Sequence, residues 1–359
     1  MTTYSTVVAT RNRAAALALS LPLQLAQSRL PEQILVVDSS DDPTPNQDLM
    51  ARLRPTTRVA LRHIVAPAGS SLQRNIGLAQ VDSDVTFFPD DDSLVHPGTM
   101  DALMQVYDRD ADGRIGGVGG HGVARAPEGV LSAQAPYAMR RSDRLKARVA
   151  SQRLRAEEWL FPDPIKLIAH QMMRRLPAAE PWLADQQVTR VEFITGYRMS
   201  FRTEAIRKVR FNEFLGRYAL LEDADACLGV LGGGLALVTA HTAPIYHHKS
   251  PERRTNGHQF GMMHVLNRAY IACRTGFVDD RLRGSIKRHA RFKIMQYSLG
   301  AASPFERERL AGAKAAARLL DRLLDAAPAT LDATYLSLRA ACEPTAQRAE
   351  EPRKAILTS

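Results

Sequence analysis

Cysteine is scarce. The three that occur, Cys227, Cys273 and Cys342, are far apart and lack metal-site spacing. An odd, scattered set excludes a disulfide scaffold and fits reduced, buried thiols in a cytoplasmic protein. Long apolar runs are missing too: no segment reaches the roughly eighteen residues needed to cross a bilayer. The stretch from Ala14 to Ala26, with Arg11 and Arg13 ahead of it, imitates a signal peptide. Ser20, Pro22 and Gln24 interrupt it, and strand-like Ser5-Thr6-Val7-Val8-Ala9 occupies the place of a signal start, so the expectation is against one. Aromatics make up only 6% and interleave with no basic stripe, which argues against a nucleic-acid reader.

Charge, by contrast, is plentiful and unbalanced. The chain carries +10 and has a pI near 9.8, a balance that suits an anionic partner. The excess is local. Residues 140–180 hold ten Lys/Arg and five Asp/Glu, and residues 250–359 hold 19 and 11. With 45% hydrophobic residues in 359, the rest is ordinary globular composition, enough for one large domain or two.

Short β-like runs alternate with helical ones. Thr6–Thr10, Gln33–Asp38, Arg58–Val65 and Asp84–Phe88 read as strands; Ala14–Arg29, Ser71–Gln80 and Thr99–Tyr107 read as helices. Such alternation implies βαβ crossovers and a mainly parallel sheet, with ligands at the carboxyl ends of the strands. Glycine-rich Gly113–Gly122 matches no phosphate-loop spacing and reads as a tight strand and turn beside the sheet. A basic, helix-prone insertion follows, then β-like Val191–Phe201, a helix over Leu221–Leu231 and a strand from Leu235. From Pro251 the pattern is mostly helical, with a frayed end around Pro352-Arg353-Lys354.

The sharpest chemical feature is Phe87-Phe88-Pro89-Asp90-Asp91-Asp92. Three adjacent carboxylates after a hydrophobic strand repel one another, and a divalent cation relieves that repulsion; oxygen ligands suit Mg²⁺ or Mn²⁺. A solvated acidic turn capping the next helix is the plainer alternative. Upstream, Asp38 closes Ile34-Leu35-Val36-Val37, and Gly69-Ser70-Ser71-Leu72-Gln73-Arg74-Asn75-Ile76-Gly77 opens a helix. Taken singly, Asp38 fits an Asx-turn, and Arg74 and Asn75 a surface helix turn.

As an ordered set these segments resemble the nucleotide-sugar half of the family-2-type GT-A glycosyltransferases. The resemblance runs through Thr10-Arg11-Asn12-Arg13 after the first strand, Val36-Val37-Asp38 after the second, Arg74-Asn75-Ile76-Gly77, and the post-strand Asp90–Asp92. The acceptor half is similar in Thr195-Gly196-Tyr197-Arg198, in Phe211-Asn212-Glu213-Phe214 and in Leu221-Glu222-Asp223. The resemblance covers about residues 4–250 and implies a GT-A fold: an α/β, Rossmann-like, mainly parallel central sheet flanked by helices, followed by a mostly helical C-terminal extension. The expected division is a nucleotide-sugar half at about 1–120, a basic insertion at about 121–190, an acceptor half at about 190–250 and a basic helical region at 251–359.

By the same resemblance, a sugar passes with inversion from a nucleoside diphosphate-sugar to an acceptor hydroxyl, in polysaccharide or glycolipid synthesis. Asp92 and Asp90 are the expected ligands of Mg²⁺ or Mn²⁺. The doublet His247-His248 supplies two candidates for a third ligand, with His247 preferred. Thr10, Asn12, Arg13, Asp38, Arg74, Asn75, Asp90 and Asp91 are the expected donor-binding set: Asp38 toward the base, Asp90 toward the ribose, Arg74 toward base or diphosphate. Asp223 is the expected general base, with Glu222 orienting the acceptor, which is a saccharide or lipid-linked saccharide. Arg281, Arg283, Lys287, Arg288, Arg291 and Lys293, with Leu282, Ile286 and Phe292 between them, suit either a solvated helix face packed on the core through its apolar side or an anionic membrane surface, which would give a peripheral place on the inner face. A non-catalytic GT-A-like scaffold or polyanion binder would not need the acidic sets. A sugar-phosphate nucleotidyltransferase would open with a glycine-rich loop, where this chain has Thr10-Arg11-Asn12-Arg13.

Overall fold

The computed structural model describes residues 1–131, 160–249 and 256–342. The N-terminal part of the basic insertion and the tail around Pro352 lie outside the described residues. The chain divides into two compact units: Met1–Ser151 with Lys166–Arg253, and Gln152–Ile165 with Arg254–Ser359.

The first unit is built on a nine-stranded sheet of order β3-β2-β1-β4-β8-β6-β9-β5, with β7 pairing β9. The strands are β1 (Tyr4–Thr10), β2 (Gln33–Asp38), β3 (Ala60–Val65), β4 (Val85–Phe88), β5 (Ser93–Val95), β6 (Ile115–Val123), β7 (Val188–Arg190), β8 (Met199–Arg202) and β9 (Ala236–His247). Helices α1 (Ala14–Leu25), α2 (Thr44–Leu53), α3 (Ser70–Leu78), α4 (Thr99–Arg109), α5 (Pro164–Met173), α6 (Trp182–Asp185), α7 (Thr203–Val209) and α8 (Glu222–Gly232) connect them. β3, β2, β1 and β4 are mutually parallel, as βαβ crossovers require, and β8 runs antiparallel between β4 and β6. Strand β2 is buried from Ile34 to Asp38, which explains its unbroken apolar run. Val8, Leu17, Leu21, Ile34, Val36, Leu49 and Met50 share one core cluster there.

The glycine-rich segment lies within the sheet rather than beside it. A Cβ on Gly117 would lie 2.8 Å from Phe201 Cδ1, and one on Gly119 2.6 Å from Ile194 Cγ2. Neighbouring side chains already fill the space above and below β6, so bare backbone is the only fit.

Parallel register sets the site. Thr10 pairs with Asp38, and Ala9 bridges to Asp90, so three strand ends deliver polar residues to one edge of the sheet. From the far end of the chain order, β9 pairs antiparallel with β5 and sets His247 opposite Ser93.

The second unit is helical: α9 (Gly257–Arg274), α10 (Asp280–Leu299), α11 (Pro304–Arg318), α12 (Leu320–Leu324) and α13 (Leu331–Cys342). Asn256, Asp279 and Ser303 cap the first three, and Ser303 forms a full capping box with Glu306. α9 and α11 touch backbone to backbone: a Cβ on Gly261 would lie 1.8 Å from Arg309 O, and one on Gly312 1.9 Å from His258 O. Among the described residues no helix is long and apolar enough to cross a membrane.

Candidate active site

The three aspartates after β4 go three ways. Asp91 turns inward, 3% exposed, and accepts from Thr10 Oγ1 at 2.8 Å; its other oxygen lies 2.7 Å from Arg13 Nη1. Burial pushes its carboxyl up to about 7, against the opposing pull of Arg13 and the Thr10 hydroxyl. Asp92 sits between two basic groups, Arg13 Nη2 at 2.6 Å and His247 Nε2 at 3.2 Å. Burial alone would raise its pKa, but His247 and Arg13 outweigh that and hold it near 2. Asp90 is the most open of the three and accepts from Arg74 Nη2 at 3.0 Å.

Asp90, Asp92 and His247 each offer one ligand atom, all within 4.8 Å of one another. Two carboxylates and an imidazole form a donor set that suits Mn²⁺ and, less selectively, Mg²⁺. The His247 ring stacks on Tyr197 at 4.5 Å, which fixes its plane. His248 uses its backbone N–H on Asp92 O at 3.0 Å.

Arg74 joins this cluster to the acceptor-side carboxylates. It is 4% exposed and donates from Nη1 to Glu222 Oε1 at 2.6 Å and from Nη2 to Asp90. Its guanidinium lies 5.5 Å over the Phe211 ring. Burial pushes Glu222 up to about 7 despite Arg74, with Asp223 adding to the rise. Asp223 is also raised by burial, although the N–H groups of Ala224 and Gly196 donate to its oxygens at 2.8 and 2.9 Å. A methyl on Gly196 would lie 3.7 Å from Arg74 Nη2, 3.8 Å from Asp223 Oδ2 and 4.0 Å from Asp90 Oδ1. The bare Cα of Gly196 therefore faces a small space ringed by both acidic groups. The backbone is strained just before them: Ala219 has φ 43° and Leu221 φ 75°.

Other expected donor residues are engaged within the protein. Asp38 is fully buried and accepts from Ser40 N and Asn46 Nδ2, each at 2.8 Å, with His63 Nε2 at 3.0 Å. Asn12, at φ 55°, donates from Nδ2 to Asp41 and from its backbone N–H to Ser40 Oγ, both at 2.8 Å. Asn75 clamps the next turn, donating to Phe211 O and Glu213 Oε1 and accepting from Phe211 N. Three neighbours escaped the residue-type reading. Gln73 ties Thr10 O to Val37 O at 2.9 and 2.7 Å. His63 and Tyr197 support Asp38 and His247. Gln73 lies inside the helix-opening segment already singled out. His63 gives no signal in sequence, since nothing there shows it beside Asp38.

Residues 5–156 match the model of glycosyl transferase family 2. No curated protein matches the chain. Among solved structures, Staphylococcus aureus TarS 1-349 in complex with UDP-GlcNAc is similar over 99% of this chain and 94% of its own, at 13% identity and TM-score 0.51. The mannosyltransferase PcManGT from Pyrobaculum calidifontis, in complex with GDP-Man and Mn²⁺, covers 94% and 86% at 17% identity and TM-score 0.48.

Proposed function

Because residues 5–156 are of the glycosyl transferase family 2 type and the sheet is that of the GT-A fold, we propose that the protein transfers a sugar, with inversion, from a nucleoside diphosphate-sugar to an acceptor hydroxyl. The observation that carries this reading is the bridge from Asp90 through Arg74 to Glu222, with Asp92 and His247 on one side and Asp223 on the other. TarS is seen with UDP-GlcNAc, which supports a donor of the same class.

Asp90, Asp92 and His247 are the residues that would hold Mg²⁺ or Mn²⁺. Such an ion supplies positive charge for a departing diphosphate. Thr10, Arg13 and Asp91 work beneath it. They pin the inner carboxylate and hold Asp92 by one oxygen, which leaves the other toward His247. Asp223 is the general base. The two backbone N–H bonds fix both its oxygens, each with a lone pair to spare, and burial makes it a better proton acceptor than an ordinary carboxylate. Glu222, fixed by Arg74, orients the acceptor, a saccharide or lipid-linked saccharide. Asp38, Asn12 and Asn75 shape the donor-base wall.

A thermal-shift screen of UDP-, GDP- and dTDP-sugars, with Mn²⁺ or with EDTA, tests the reading. One donor should raise the melting temperature only with the metal, and Asp92→Ala should abolish that shift in a folded protein. Equal binding of all three nucleotides in EDTA would remove the metal role.

A further inference from the structure

Several glycines of the sheet unit are glycine for plain reasons. A Cβ on Gly77 would lie 2.3 Å from Val7 Cγ1, and one on Gly122 2.1 Å from Tyr197 Oη. Gly216 sits at φ 83°, where residues with a Cβ are strained. Gly196 has neither reason. Its φ is outside the left-handed region. Among the described residues, the atoms nearest to a Cβ there are Arg74 Nη2, Asp223 Oδ2 and Asp90 Oδ1, at 3.7, 3.8 and 4.0 Å, ordinary contact distances. Its backbone N–H donates to Asp223 Oδ2, a bond that any residue but proline supplies.

Nor is the position free to retreat. Gly196 opens a short 3-10 turn, Gly196–Arg198, and that turn is pinned at several points. Ser93 Oγ donates to Tyr197 O at 2.8 Å, Arg198 Nη1 donates to Gly120 O at 2.7 Å, and the Tyr197 ring stacks on His247. A side chain at 196 would therefore stand, on a fixed Cα, beside the working ends of three residues. Those ends come from both halves of the site. Asp90 is on the metal side, Asp223 is the base, and Arg74 bridges from Asp90 to Glu222.

We infer that Gly196 is a specificity-determining residue: the side chain it lacks leaves room for the sugar being transferred. This rests on the sugar-transfer reading. In that reaction the acceptor oxygen bonds to the anomeric carbon on one face while the bond to the diphosphate oxygen breaks on the other. The acceptor proton goes to Asp223, and the bonding electron pair leaves with the diphosphate. What lies between the base and the metal-side carboxylate is therefore the sugar ring. A point within 4.0 Å of both Asp223 Oδ2 and Asp90 Oδ1 belongs to that interval. A methyl there takes volume from the ring, whereas a nucleoside diphosphate ends at the metal side.

The test compares Gly196→Ala with the wild type, both as the full chain, by titration calorimetry in Mn²⁺. The probes are three pairs: UDP and UDP-GlcNAc, GDP and GDP-mannose, dTDP and dTDP-glucose. For the pair that the wild type binds, the variant should bind the nucleoside diphosphate equally well. It should bind the nucleotide-sugar about tenfold or more weakly, the scale on which one methylene decides a pocket. Its melting temperature should match the wild type's, since the three contacts are ordinary ones and the N–H bond to Asp223 stays. Equal nucleotide-sugar affinity in the two proteins would overturn the inference; slower transfer alongside it would give the space to the acceptor instead. Equal loss for both members of the pair would also overturn it, by placing the methyl against the diphosphate. A marked fall in melting temperature would do the same, because the fold itself would then demand the glycine. A wild type that binds none of the three nucleotide-sugars would overturn the sugar-transfer reading first, and this inference with it.

Discussion

The two units handle buried charge differently. In the sheet unit, Asp90, Asp91, Asp92, Glu222 and Asp223 outnumber Arg13, Arg74 and His247; in the helical unit, Arg268 is matched by Asp163, and Arg309 lies over the Tyr297 ring within reach of the Glu306 charge. The two respond differently because their majority groups differ in chemistry. Carboxylates can discharge themselves, and burial does push Asp91 and Glu222 up to about 7. Arginine cannot discharge, so in the helical unit it is imidazoles that stay neutral: burial first, then Arg268, hold His264 at about 3 and His289 at about 4.

The largest expected effect separates chemistry from mere acidity within the sheet unit. Asp223→Asn keeps size and most hydrogen bonding but cannot take the acceptor proton. Turnover should fall by about 10²–10⁴-fold, with donor affinity barely changed. A wild-type rate with the true acceptor would remove Asp223 from the mechanism.

Next comes the counter-charge itself. Arg13→Gln leaves Asp91 and Asp92 buried without their guanidinium. Breaking such a pair from one side costs about 3 kcal/mol, readable as a lower urea midpoint at unchanged slope. A loss well below 1 kcal/mol would mean that Asp91 is already neutral and that Arg13 matters only to Asp92.

A smaller effect follows from the raised carboxyl of Glu222. Its folded-state pKa, about 7, stands above the ordinary 4.5. Between those values the folded chain holds the proton more tightly than the unfolded chain, so stability falls as pH rises from about 4.5 to about 7, then levels. Glu222→Gln should shrink the stability difference between pH 5 and pH 7.5 in urea unfolding. Asp91 contributes with the same sign, so some slope should remain. An unchanged slope in the variant would place the titration elsewhere.

Much of the sheet unit was legible because its signals are local. Buried parallel strands show as unbroken apolar runs, and the polar residues after them mark the site edge: Thr10, Asp38, Asp90. What could not be read is who holds whom. Arg74 and Asn75 fit a surface turn by residue type, yet both are buried, because their partners Glu222 and Phe211 lie more than 130 positions away. Gly113–Gly122 read as a strand beside the sheet, because the Phe201 and Ile194 side chains that demand its glycines come from elsewhere. The basic cluster of the helical unit was hidden for the same reason. Lys293 stood out as part of a charge run, but His264, Arg268 and Arg309 are scattered over two other helices.

The smallest effect concerns the outer side of α10 and sharpens the contrast between buried and exposed cations in one helix. Six basic residues looked equivalent in sequence. Arg283 is paired with Asp325 and Lys287 with Asp321, while Lys293 donates to Gln296 at 3.2 Å. Arg281, Arg288 and Arg291 are exposed. At helical spacing they continue into Met295, 48% exposed, and Leu299, 79% exposed. A stripe that is basic at one end and apolar at the other suits an anionic bilayer surface, where each free arginine contributes about 1 kcal/mol. Cosedimentation with phosphatidylserine vesicles at low salt should therefore be weak and should fade at physiological salt. Replacing Arg281, Arg288 and Arg291 together by Gln should remove most of it, whereas Lys287→Gln should change little, since Asp321 already holds that charge. Equal binding to neutral vesicles, or a triple variant that sediments like the wild type, would show that this face is simply solvated.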